Sequence, residues 1–327
     1  MQKLKIGVVG VGHIGREHAR IYSLLDDVQF VGVFDIDPAV ARSIAQQYDI
    51  RCFSTLGDML ESVDAVSVAT PTSTHFEVAK PFLAAGRSVL MEKPIADSTE
   101  PARELVRMAR ANGAVLQIGH IERFNPVLRV LEDRLTRPRF IEAHRLSPYP
   151  GRSTDIGVVL DLMIHDLDVI LHLVRSPISS IDAVGVAVLS RGEDIANARI
   201  RFENGCVANI TTSRISPEKM RKIRVFQEDT YMSLDYQNQS GEIFRKLKSQ
   251  IVRERVPVEK EEPLRLELQS FTECARARRE PVVSGEQGTA ALDVAIEITD
   301  RIWAGERGGA SIAANSRAEA AGSPGGN

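Results

Sequence analysis

Over residues 3–119 the chain alternates short β-branched runs with helix-length segments, the runs being KIGVVG, VQFVGVFD, DAVSVAT, SVLMEK and AVLQIG. Strands separated by that much chain do not pair as hairpins. They are joined by right-handed crossovers, and the product is a parallel sheet with helices on both faces. After about residue 121 the pattern changes. A helical run to 135 leads to IEAHRLS, a second helix is expected over 159–174, and then come IDAVGVAVLS, ANARIRF, CVANITTS and RKIRVFQ with few helices between them, which reads as a mainly antiparallel sheet. Helical patterns return over 264–278 and 287–303 and can pack on either half.

The expected class is therefore α/β: a doubly wound parallel sheet over 1–120, then an α+β domain over 121–306 with a predominantly antiparallel open sheet. The Gly/Ala/Ser-rich 307–327 is expected to be a disordered tail. A chain of 327 residues is long for one core, which agrees with two domains. A net charge of -3 offers no overall basic surface for nucleic acid. Cys52, Cys206 and Cys274 lie far apart without metal-site spacing, as suits thiols in a reducing compartment. With no signal-peptide core and no apolar run of about 18 residues, the expectation is a cytoplasmic protein that neither enters nor crosses a membrane.

The first strand runs into GVGHIG, placing Gly10, Gly12 and Gly15 in GxGxxG spacing, with His13 and Ile14 opening the next helix. Alone the spacing is weak evidence. In this context it has a chemistry: a tight turn at Gly10, a bare backbone at Gly12 for a pyrophosphate, and close strand–helix packing at Gly15, with a helix N-terminus facing the anion. The second strand ends at Asp35, about 20 residues past the last glycine, where a carboxylate can accept from ribose hydroxyls. That carboxylate would repel a 2'-phosphate, and the following IDPAV supplies no arginine, so NAD is expected rather than NADP. The domain is read as a Rossmann domain.

SVLMEKP places Glu92 and Lys93 at a strand's C-terminal end, where open α/β sheets bind ligands, and Pro94 stops the strand. A lysine there can hold a substrate oxygen as hydride leaves the adjacent carbon, although strand-end lysines are often merely solvated. In VVLDLMIHDLDVILHLV, at ~100° per residue, Asp161, His165, Asp168 and His172 fall within roughly a 60° stripe of a mostly apolar helix, and Asp166 points elsewhere. The i, i+4 spacing lets Asp161 support a His165 general base. A solvent stripe, or a metal site of His165, Asp168 and His172, would use the same pattern. GHIERFNP offers Arg123 and Asn125, and YPGRSTDIG offers Arg152, as candidate substrate ligands, the arginines for a phosphate or carboxylate.

GVGHIG, the TPTSTH loop, MEKP and the LDxxxHDxD pattern from Leu160 to Asp168 together resemble the Gfo/Idh/MocA oxidoreductases in motif order. The resemblance implies a Rossmann domain followed by an antiparallel sheet that often mediates homodimers or homotetramers. It implies Lys93, Asp161 and His165 as the catalytic set and no metal. Thr70, Pro71, His75 and Glu92 would serve the cofactor site, and the Lys93–Pro94 peptide is expected to be cis. MEKPIA with GHIERFNP is similar to those members that oxidise the 3-hydroxyl of UDP-N-acetylglucosamine. On that resemblance the substrate is the nucleotide sugar, and a pyridoxal-phosphate aminotransferase is the pathway partner, feeding 2,3-diamino sugars to lipid A or surface glycans. A dehydrogenase of a free sugar or polyol such as myo-inositol, and a non-catalytic dinucleotide sensor, remain the alternatives.

Overall fold

The computed structural model describes residues 3–149 and 156–321, with side chains to Ala304. Its first half holds, in chain order, β1 (Leu4–Val9), α1 (His13–Tyr22), β2 (Val28–Phe34), α2 (Pro38–Tyr48), β3 (Arg51–Cys52), α3 (Leu56–Ser62), β4 (Ala65–Val68), α4 (His75–Ala84), β5 (Ser88–Glu92), α5 (Thr99–Ala111) and β6 (Leu116–Gly119). The strands form one parallel sheet in the order β3-β2-β1-β4-β5-β6. Its order reverses between β1 and β4, the crevice where such sheets bind dinucleotides. β4 (AVSV) and β6 (LQIG) are buried along their whole length, because helices cover both faces.

The second half holds α6 (Pro126–Arg134), β7 (Pro138–Leu146), a π turn (Val159–Met163) running into α7 (Ile164–Val174), then β8 (Ile178–Val186), β9 (Ile195–Phe202), β10 (Val207–Ser213), β11 (Met220–Gln227), β12 (Thr230–Asp235), β13 (Ser240–Leu247), β14 (Gln250–Arg255), α8 (Pro263–Ala277) and α9 (Gly285–Ala321). Eight strands make one sheet in the order β14-β13-β12-β11-β7-β10-β9-β8, antiparallel except where β7 meets β10. Alternation sets its two faces. Ile141, Ala143, Ile223, Val225, Met232 and Ile243 pack into the core under α6 and α7. The opposite face carries a row of stacked rings, Phe140, Phe226, Tyr231 and Phe244, with centroids 4.6 to 5.7 Å apart.

The two C-terminal helices tie the halves together. Leu264, Leu268 and Phe271 of α8 belong to the cluster under α1 and α2, while α9 gives Leu292 to the Rossmann side and Val294, Ile298 and Ile302 to the second core. The α9 backbone runs to Ala321 and so enters the segment expected to be an irregular tail, since SIAANSRAEAA is alanine-rich and free of proline. No helix among the described residues is long and apolar enough to cross a membrane.

Candidate active site

The glycine loop has the geometry its spacing implies. Gly10 turns at φ +83°, and a Cβ there would lie 2.8 Å from the Ala69 carbonyl oxygen and from the Thr70 methyl. A Cβ on Gly15 would stand 1.9 Å from the Gly10 oxygen, so only glycine lets α1 begin this close to the loop. At Gly12 nothing lies within 4 Å of a built Cβ: the backbone is bare and faces open space at the start of α1, as pyrophosphate binding requires. His13 and Ile14 are the first residues of that helix. Asp35 accepts the Val11 amide at 2.8 Å and the Asp37 amide at 2.9 Å. A carboxylate has about four lone-pair sites, so two remain for the ribose hydroxyls. These residues fit NAD.

Four residues expected in the cofactor site have structural tasks as well. His75 is buried, and its ring nitrogens lie 2.9 Å from the Pro94 and Thr70 carbonyl oxygens, bracing the loop after β4 against the turn after β5. Burial lowers its pKa, although the two carbonyls favour the charged ring. Thr70 and Pro71 accept from the Thr74 hydroxyl and so close that loop on itself. Glu92 pairs at 3.1 Å with the buried His18 of α1. Burial raises the Glu92 pKa, but His18, Lys93 and His75 outweigh it and the net shift is down.

At the reacting end, the Lys93–Pro94 peptide is cis, and Lys93 Nζ donates to the Asp161 carbonyl at 2.6 Å and to Asp161 Oδ1 at 3.0 Å. The chain brings these groups together across 68 residues. Glu193 fixes the entry to the π turn: its carbonyl accepts the Val158 amide at 3.0 Å and its Oε1 accepts the Val159 amide at 3.2 Å. The turn also corrects the expected Asp161–His165 contact. The i, i+4 argument assumed α-helical periodicity, but i→i+5 winding through Asp161 alters the offset, and the carboxylate goes to Lys93.

His165 opens α7 and is partly buried, with Nδ1 shut in and without a hydrogen-bond partner among the described residues. Its pKa lies well below the ordinary imidazole value, first through burial and then through Lys93, Arg145, His120 and Arg221. It is therefore a neutral base at neutral pH. The rest of the expected stripe disperses: Asp168 pairs with Arg123 at 3.4 Å and His172 with Glu132 at 2.6 Å. Among the described residues, no group of three His, Cys, Asp or Glu side chains is placed to hold a metal.

Of the other expected substrate ligands, Arg123 and Asn125 are engaged within the protein. Arg123 is buried, spending Nη1 on Asp168 and Nη2 on the Val282 carbonyl at 3.2 Å. Asn125 is buried too: its oxygen caps α6 at the Val127 amide and its nitrogen donates to the Tyr236 carbonyl at 3.1 Å. Both have intramolecular partners because the 3-10 turn Ile121–Phe124, followed by Asn125 as the cap of α6, packs against α6, α7 and α8. Arg152 lies outside the described residues.

Sequence reasoning missed three parts of the site. His120, buried at the end of β6, presents its ring to His165 edge-on, with centroids 6.0 Å apart. Its position at a strand's C-terminal end was the available signal. Arg145 of β7 grips Asp166 with Nε–Oδ2 at 2.7 Å and Nη2–Oδ1 at 3.1 Å, and Glu122 with Nη1 at 3.0 Å, pinning α7 to the sheet. Burial lowers the Arg145 pKa, but Asp166 and Glu122 hold it above its ordinary value. Arg221 of β11 stands beside this network. No local pattern marks either arginine.

The described Gfo/Idh/MocA "oxidoreductase family, NAD-binding Rossmann fold" matches residues 4–120, and the Gfo/Idh/MocA C-terminal domain matches 129–232. The chain is 39% identical over 305 residues to the UDP-N-acetylglucosamine 3-dehydrogenase of Acidithiobacillus ferrooxidans, covering 91% of this chain and 97% of that one. It is 25% identical to the scyllo-inositol 2-dehydrogenase (NAD(+)) of Bacillus subtilis over 91% of this chain and 94% of that one. A solved structure of the A. ferrooxidans UDP-N-acetylglucosamine 3-dehydrogenase GnnA superposes with a TM-score of 0.89 at 38% identity, covering 93% of this chain and 99% of that one.

Proposed function

The chain belongs to the Gfo/Idh/MocA family of NAD-dependent dehydrogenases acting on sugar hydroxyls, and we propose that its substrate is UDP-N-acetylglucosamine, oxidised at the 3-hydroxyl to a ketone. The observation that carries this reading is the end-to-end likeness to a relative with that activity, joined to the Lys93–Asp161–His165 cluster. Bound NAD supplies the hydride acceptor. Lys93 Nζ, held by Asp161, presents its remaining N–H to the reacting oxygen and stabilises the charge that develops there. His165, neutral and with Nδ1 enclosed, takes the hydroxyl proton on Nε2 as the C–H bond breaks and the carbonyl forms. Asp166, locked to Arg145, keeps α7 in register so that the base stays in place. A 3-keto sugar nucleotide is a substrate for a pyridoxal-phosphate aminotransferase, the enzyme class placed next in sequence. The ring-bearing face of the eight-stranded sheet is where a homodimer or homotetramer would join.

The test mixes the protein with NAD and UDP-N-acetylglucosamine, adds a 3-keto-sugar aminotransferase with glutamate to draw off product, and follows NADH absorbance and product mass. N-acetylglucosamine and myo-inositol run alongside. NADH formed only with the nucleotide sugar, abolished in Lys93→Ala, supports the reading and removes a non-catalytic sensor. Turnover of myo-inositol alone would assign the chain to polyols.

A further inference from the structure

Three permanent cations act on His165: Lys93, Arg145 and Arg221. Two have a carboxylate partner at hydrogen-bond distance. Lys93 is held by Asp161, and Arg145, its side chain 4% exposed, spends both edges of its fork on Asp166 and Glu122. Arg221 differs. Its side chain is 42% exposed, and its ion pair with Glu122 is at 3.9 Å, beyond hydrogen-bond reach, because Glu122 already accepts from Arg145 at 3.0 Å.

The register makes this position costly. Arg221 stands directly opposite Arg145 across the β11–β7 pair, on the face that also carries the buried Ala143 and Ile223 and looks toward α7. Like charges directly opposite on neighbouring strands repel. Burial and then Arg145 lower the Arg221 pKa, with Glu122 and Asp166 offsetting part of it. A guanidinium held opposite another on the face toward α7, half-open and without a hydrogen-bonding carboxylate, is arranged to receive an anion.

We propose that Arg221 binds the anionic part of the substrate, the diphosphate of a nucleoside diphosphate sugar, whereas both terminal nitrogens of Arg123 are engaged by Asp168 and Val282. This rests on the nucleotide-sugar reading above. In such a sugar the phosphate hangs on C1, two carbons from the reacting C3, so the group that meets the phosphate is distinct from the one that takes the proton. The planar fork of arginine matches two phosphate oxygens at once, which lysine does not do.

Calorimetric titration of the full chain with UDP, and separately with NAD, tests the assignment on wild type, Arg221→Gln and Arg221→Lys. The expected result is a loss of about tenfold or more in UDP affinity for Arg221→Gln, a smaller loss for Arg221→Lys, and NAD affinity within twofold of wild type for both. Equal UDP affinity in wild type and the variants overturns the role of Arg221 and leaves the nucleotide-sugar reading standing. A wild type that binds NAD but not UDP overturns both. If Arg221→Gln fails to bind NAD and so has not folded, Arg221→Lys decides alone: an undiminished UDP affinity refutes the proposal.

Discussion

Replacing Arg145 with methionine should cost this protein more than any other single charge at the site. The guanidinium makes three charge-assisted contacts, at 2.7, 3.0 and 3.1 Å, to carboxylates that are themselves buried: Asp166 is 2% exposed and Glu122 5%. Methionine fills much of the volume but leaves two carboxylates in a low-dielectric core with only the half-exposed Arg221 nearby. Removing one partner of a buried ion pair costs about 3–5 kcal/mol, because the other charge is left uncompensated. The Asp166 pKa is already raised by burial in spite of Arg145, so this carboxyl would take up a proton in the variant, which caps the loss within that range. At about 2–4 °C per kcal/mol for domains of this size, the melting temperature should fall by about 6–20 °C. Urea unfolding of wild type, Arg145→Met, Asp166→Leu and the double variant forms the cycle that measures the pair. The double variant, having neither charge, should lose clearly less than the sum of the single losses. A loss below about 1 kcal/mol for Arg145→Met, or simple additivity in the cycle, would show that the network is not what holds α7 to the sheet.

The depressed His165 pKa places the acid limb of kcat/KM below pH 6.5, and a limb at or above 6.5 in a pH–rate profile would remove His165 as the free-enzyme base. The same shift has a stability sign: below 6.5 the unfolded chain binds a proton that folded His165 refuses, so this group makes stability fall as pH drops, and His165→Asn should flatten that part of the curve. Glu267 of α8 is buried without a partner for either oxygen among the described residues, and burial, then Glu92 and Asp168, raise its pKa well above 4.5. Its folded form keeps a proton the unfolded form loses above 4.5, so stability from this group declines as pH rises, and urea melts should show Glu267→Gln gaining more over wild type at pH 8 than at pH 5. Gly12→Ala should melt like wild type, since its Cβ meets nothing within 4 Å, yet lose at least about tenfold in NAD affinity because the methyl stands where pyrophosphate approaches. Gly15→Ala, with its Cβ 1.9 Å from a backbone oxygen, should instead lose both stability and binding, and equal behaviour of the two variants in melts and titrations would contradict this division.

The elements and motifs legible in the sequence are those that local rules encode. Alternation of β-branched runs with helix-length spacers gives the parallel sheet, and GVGHIG followed by Asp35 gives its ligand edge, because each depends on backbone preferences within a short span. The strands from β8 to β11 show the same kind of signal. β12 to β14 do not: their turns use Asp229, Gln239 and Lys248 in the left-handed region where glycine would have marked them, and β14 is exposed along nearly its whole length, so no alternation appears. β3 has only two residues and no period to read.

The site divides in the same way. Helical spacing marked Asp161 and His165, a strand end marked Lys93, and the family resemblance joined the three, but spacing paired Asp161 with His165, because helical periodicity is the only proximity a sequence displays. The structure pairs Asp161 with Lys93 through a π turn, encloses Arg123 and Asn125, and brings Arg145, Arg221 and His120 to α7 from β7, β11 and the end of β6. Local chemistry determined which segments become strands and helices and where a dinucleotide meets the sheet. Which buried charge finds which partner was decided by strand register and helix crossing. A charge removed from water must be compensated by whatever the packed fold places beside it, and that neighbour is not a property of its own stretch of chain.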